Sequence, residues 1–167
     1  VNKILQSLDW IITRTLMVLM LAIVLTVTWQ VLSRYILQSP SSGSEELARF
    51  LLIWIGMLGA VYCYRNRAHL GLNILTNKMT AQGQLVAALV SHAMVFFFAV
   101  TTLIMGGFNL IDMAMSPVQT SAALGIKVAH VYAIVPLSGI LFCVYDIAEI
   151  AELLEHGVVS EGEEHGS

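Results

Sequence analysis

Between Arg14 and Arg34 the chain carries no charge, and from Met79 to Ile111 it has no Asp, Glu, Lys or Arg. In hydrocarbon every backbone N–H and C=O must be bonded within its own segment, so apolar runs of this length are read as helices that cross a membrane. At about 1.5 Å per residue, Thr15 to Ser33 suffices for a core of roughly 30 Å. The second run is too long for one perpendicular helix, so part of it tilts or lies outside. Gln82, Gly83 and Gln84 put its entry near Leu85, and Gly106, Gly107, Asn109 and Asp112 put its exit near Phe108. Two more apolar runs give four expected spans, 15–33, 47–64, 85–108 and 128–145. The composition agrees: 57% hydrophobic and 11% charged residues, with a mean hydropathy of +0.80. The reading is an all-α integral membrane protein, one four-helix domain over residues 1–155, followed by an acidic, disordered stretch at 156–167.

The flanks set the expected orientation. Residues 1–14 mix Lys3, Asp9 and Arg14 with apolar residues in a helical period, which fits an amphipathic segment at the membrane surface with Trp10 as an interfacial anchor. Arg65, Arg67 and Lys78 form the densest basic cluster, which places that loop and both ends of the chain on the cytoplasmic side. Arg34, Arg49 and Lys127 on the outer side weaken the bias. Asp146, Glu149, Glu152 and Glu155 recur every three residues and read as a helical extension along the cytoplasmic surface. The first apolar run lacks a small-residue cleavage site, so it is expected to stay as an anchor. Cys63 and Cys143 lie in or near apolar segments and read as structural thiols. A net charge of -3 with scattered basic residues gives no nucleic-acid footprint.

The second span has two faces. Ser42-x-x-Glu45 has capping-box spacing, so a helix is expected to start there. At about 100° per residue, Glu45, Arg49, Leu52, Gly56, Gly59 and Ala60 share one side, and Phe50, Trp54, Leu58 and Val61 the other. Glu45 and Arg49 can pair, and Gly56 and Ala60 at i, i+4 let another helix approach closely. The bulky side can face lipid. In the first span Ala22, Thr26, Gln30 and Ser33 form a small and polar stripe, read as interhelix hydrogen bonding in preference to a transport path. Pro136 removes a backbone donor and should kink the fourth span.

Catalytic chemistry is hard to find. His92 is the one ionisable side chain, apart from cysteine and tyrosine, that the spans hold well inside; it reads as a hydrogen-bonding residue in preference to a ligand or proton relay. His130 belongs near the opposite membrane face, so the two are not expected to share a metal. No catalytic residues, metal ligands or enzyme activity are expected, and no intramembrane carboxylate is evident. Broken helices paired in two halves of the chain, the usual mark of a self-sufficient carrier, are not evident either.

Val31 to Leu37 (VLSRYIL), Ser42 to Ala60 (SGSEELARFLLIWIGMLGA), Arg65 to Leu75 (RNRAHLGLNIL) and Pro136 to Leu141 (PLSGIL) together resemble the small, Q-type membrane subunit of tripartite ATP-independent periplasmic (TRAP) transporters. Arg34, Glu45, Arg49, Trp54, Gly59, His69 and Pro136 fall on that pattern. Asn73, where an acidic residue is common, and Lys127, at a position often apolar or proline, depart from it. The resemblance implies an accessory scaffold in a bacterial inner membrane. A large M-type subunit would carry an organic acid, such as sialic acid or a C4-dicarboxylate, together with sodium, and a periplasmic binding protein would deliver it. This chain then needs no cofactor, and bound phospholipid is compatible with its surface.

On that basis Glu45, Arg49, Gly56 and Ala60, with Thr26 and Gln30, are expected to pack against the large subunit. Arg34, Glu45, Glu46, Asp112 and Lys127 are expected to dock the binding protein, and Trp10, Trp29 and Trp54 to meet lipid or the partner's rim. The competing readings are a stand-alone homo-oligomeric transporter and a tetraspan redox subunit.

Overall fold

The computed structural model describes the backbone of residues 2–39, 41–76 and 81–156, and the side chains of these except 2, 67–76, 81, 82, 84, 85 and 154–156. The described residues are helical apart from short loops and two isolated β-bridges. Helix α1 runs over Asn2–Tyr35 and α2 over Ser42–Thr76; α3, Ala81–Phe98, passes through a π-helical segment, Ala99–Met105, into α4, Gly106–Met115. Helix α5, Val128–Tyr132, leads into α6, Ile134–His156. Four stretches among the described residues are long and apolar enough to cross a membrane: Lys3–Tyr35, Ser42–Asn66, Val86–Met115 and Val128–Leu153. The chain is thus a multi-pass membrane protein. The acidic stretch read as disordered lies outside the described residues from position 157 onward.

Several boundaries differ from the expected ones for local reasons. Residues 2–14 do not leave the first helix but form its first turns, because no Gly or Pro occurs before position 40 to end it. The cap of α2 is Ser41, one residue earlier than the spacing suggested: its Oγ lies 3.4 Å from the Ser44 amide. The helix that carries the third span does not end near Phe108 but runs on to Met115. Gly106 and Gly107 sit inside it because Gly107 meets Pro136: a Cβ there would lie 2.6 Å from the proline Cδ. The fourth span is interrupted at Ala133, within one turn before Pro136, whose missing N–H leaves the Tyr132 carbonyl without its helical donor.

Helix α1 lies along α2, α2 also packs on α6, and α6 packs on α3 and the π segment. At this last contact a Cβ on Gly139 would come within 2.8 Å of Leu103 Cβ and Ile104 Cγ1. The wider turn of the π segment is therefore seated directly on the Gly139 backbone. A core of Leu5, Ile12, Val61 and Tyr145 joins α1, α2 and α6. Much of the described helix surface is apolar, with Val18, Leu21 and Leu25 of α1 and Phe97 and Phe98 of α3 exposed, as suits helices bathed in lipid. The bulky side of α2 turns inward, burying Leu58 and Val61. Its small side is open: among the described residues nothing lies within 4 Å of a Cβ placed on Gly56 or Gly59.

Candidate functional site

Polar side chains from all four spans converge at the end of the bundle where α1 begins and α6 ends. Asp146 of α6 is fully buried; its Oδ1 lies 2.7 Å from His92 Nδ1 of α3 and accepts from Tyr64 Oη of α2. Tyr64 Oη is also 3.1 Å from His92 Nδ1. Contact with a carboxylate acceptor requires the proton of the imidazole to sit on Nδ1. One turn along α6, Glu149 is 4% exposed and pairs with Arg65 of α2. Arg65 Nε also lies 3.7 Å from Asp9 Oδ2 of α1, and its guanidinium sits 5.7 Å from the centre of the Tyr145 ring. The Tyr145 hydroxyl donates to Asp9 Oδ1 at 2.6 Å. Two linked groups result, Tyr64–His92–Asp146 and Asp9–Arg65–Tyr145–Glu149, and together they tie the spans at one end. Asp146 Oδ2 has no partner among the described residues.

This clasp corrects two expectations. The side chains of Asp146 and Glu149 are not solvated along a helix face but point into the bundle, so the chain does hold a buried carboxylate, beside His92. The physical reason is the third helix: His92 faces Asp146 and supplies the hydrogen bond that lets the carboxylate leave water.

The opposite end holds the remaining candidates. Glu45 and Arg49 pair at 3.1 Å while both stay well exposed. With Leu52, Gly56 and Ala60 they line one uncovered side of α2. Arg34, Asp112 and Lys127 are exposed around the same end. Glu46 stands apart: it is half-buried, and its Oε2 accepts from the Ser121 hydroxyl and, at 3.1 Å, from the Ala123 amide. On α1, Thr26 and Gln30 are half-buried; the Thr26 hydroxyl bonds its own helix at Ala22 O, 2.7 Å, and not a neighbouring helix. Ser33 likewise bonds Gln30 O at 3.1 Å. Trp10 and Trp29 are exposed, Trp10 stacked under Arg14 at 5.6 Å, whereas Trp54 is half-buried. The His69 side chain lies outside the described residues; Pro136 is buried at the α4–α6 contact.

Residues 23–156 match the family model described as tripartite ATP-independent periplasmic transporters, DctQ component. The chain is 32% identical over 84 residues to the sialic acid TRAP transporter small permease protein of Vibrio cholerae, covering 50% of this chain and 47% of that protein. It is 29% identical over 138 residues to the isethionate TRAP transporter permease protein DctMQ of Oleidesulfovibrio alaskensis, 79% of this chain but 22% of the relative. A third match, 44% identical over 50 residues, is to the sialic acid TRAP transporter permease protein of Haemophilus influenzae, 30% of this chain and 8% of that one. The matched regions thus span about half or less of these relatives.

Proposed function

This chain belongs to the DctQ component family of the tripartite ATP-independent periplasmic transporters, a family of transporter components and not an enzyme class, and from that premise we propose that it braces a large M-type transport subunit in a bacterial inner membrane. The transporter takes up an organic anion delivered by a periplasmic binding protein, with sodium coupling in the large subunit. Both ends of the chain then face the cytoplasm, as does the clasp. The observation that carries this reading is the uncovered side of α2. A charged pair, then Leu52, Gly56 and Ala60, lie in line and exposed among the described residues, and small residues at i, i+4 are what close helix packing in lipid uses. The isethionate relative supports the partner, because there a segment similar to this chain is part of a polypeptide several times longer. For the substrate, the relatives named for sialic acid and isethionate support an organic acid, carboxylate or sulfonate, with sialic acid the first to test.

A stand-alone carrier gains one point from the buried Asp146. Against it, Asp146 Oδ1 is occupied by His92 and Tyr64, and Arg65 is engaged by Glu149 and Asp9. These groups join helices to one another, as a brace requires.

Gly56→Leu tests the assignment. Gly56 is exposed and a Cβ there has none of the described residues within 4 Å, so the isolated subunit should keep its helicity and melting temperature. Co-purification with the large subunit, and uptake, should fall by about tenfold or more, the loss expected when a bulky group separates a close helix pair. Unchanged recovery and uptake would remove this face from the interface.

A further inference from the structure

The first turns of α1 sort their charges. Asp9, the acid of residues 3–14, turns inward: its Oδ1 accepts from the Tyr145 hydroxyl at 2.6 Å and its Oδ2 lies 3.7 Å from Arg65 Nε. The bases turn outward. Lys3, Ser7, Trp10 and Arg14 recur at i, i+4, i+7 and i+11, one stripe of a helix, and all four are exposed. Neither Lys3 nor Arg14 forms an ion pair among the described residues. Arg14 instead lies against the Trp10 ring, 5.6 Å from its centre, which orders the guanidinium by one face and leaves its N–H edge open.

Arg14 also bounds the apolar run. Residues 15–33 carry no charge and measure about 28 Å as a helix, close to a hydrocarbon core of roughly 30 Å. Arg14 and Arg34 therefore flank the core, at the level where lipid phosphates begin. Helical side chains lean toward the N-terminal end of their helix. For Arg14 that direction leads out of the core and onto Trp10; for Arg34 it leads back along the apolar run. Met17 and Val18, 58% and 67% exposed, continue the Arg14 stripe into the core.

We propose that Arg14 and Trp10 hold the phosphate of an anionic phospholipid whose acyl chain lies along Met17 and Val18. A guanidinium takes a phosphate through two parallel N–H bonds, and an indole suits the headgroup level. The sorted charges select an anionic headgroup over a zwitterionic one, because Asp9, the acid of this stretch that could receive a choline or ethanolamine, is engaged inside the bundle. Lys3, about 16 Å further along the helix, attracts the same lipids at a distance without touching this one. The site depends neither on the transporter family nor on which leaflet Arg14 meets, since phosphates line both.

Native mass spectrometry of the full chain released from detergent micelles, titrated with phosphatidylglycerol or with phosphatidylcholine, reads the association constant of the first lipid bound. The native chain should bind phosphatidylglycerol about fivefold more tightly, and Arg14→Gln should bring the two lipids level. Trp10→Leu should weaken phosphatidylglycerol about twofold, and Arg14→Lys should fall between the native chain and Arg14→Gln. Arg34→Gln should stay within about twofold of the native chain, because that side chain leans the other way. Equal binding of the two lipids by the native chain, or a preference that survives Arg14→Gln, overturns the site. Equal losses in Arg14→Gln and Arg34→Gln overturn it too, since any exposed guanidinium would then suffice.

Discussion

Arg65 and Arg49 are each paired with a carboxylate, and their surroundings give the two pairs different weight. Glu149 is 5% exposed in its side chain and Arg65 23%, whereas Glu45 and Arg49 are 61% and 67% exposed. An exposed i, i+4 pair contributes a few tenths of a kcal/mol, while removing one partner of a buried pair leaves an uncompensated charge and costs about 3–5 kcal/mol. Arg65→Met should therefore lower the unfolding free energy of the isolated subunit by about 3 kcal/mol, read by denaturant titration in micelles. Arg49→Ala should change it by less than about 0.5 kcal/mol. Arg65→Lys should fall between, because a point charge cannot serve Glu149 and Asp9 while stacking on Tyr145. Equal losses at Arg65 and Arg49 would contradict the clasp. None of these pairings was legible in the sequence. Asp9, Arg65 and Glu149 each sit at the end of an apolar run, where a charge reads as interfacial; only packing brings positions 136 residues apart, Asp9 and Tyr145, into one hydrogen bond.

Glycines do opposite work in different helices. Gly107 lies under Pro136 and Gly139 under the π segment, so Gly107→Ala forces a Cβ against the proline ring and should destabilise the subunit by about 1–3 kcal/mol, seen as a lower melting temperature in detergent. Gly56→Ala puts a Cβ where none of the described residues lies within 4 Å and should leave the melting temperature in place, so any cost is expected in the complex alone. A lowered melting temperature at Gly56 with none at Gly107 would reverse the assignment of inner and outer faces. Part of this was readable beforehand: the period of Glu45, Arg49, Gly56 and Ala60 marked one side of α2. The bulky side was read as lipid-facing, and instead Leu58 and Val61 are buried. Hydrophobic size cannot tell lipid from a neighbouring helix, because both are apolar. The π segment had no signal in the sequence, since it is the seating of Leu103 and Ile104 on Gly139 that accompanies the wider turn.

The whole molecule is an open arrangement in which α1 lies along α2 with much of its apolar surface uncovered, and α6 carries the contacts to the π segment. The four crossings were legible because charge-free length is a strong constraint in a bilayer; the order of packing was not, since it depends on which small residues meet. A subunit tied internally at one end and uncovered along α2 is suited to lie against a larger partner. The most direct measurement is sodium-dependent uptake of sialic acid, and of other organic anions, in proteoliposomes holding this chain, the large membrane protein and the binding protein, with each omitted in turn. A bracing subunit predicts loss of uptake whenever this chain is left out and no uptake by this chain alone. Uptake by this chain alone would contradict it and place a transport path among its own polar residues.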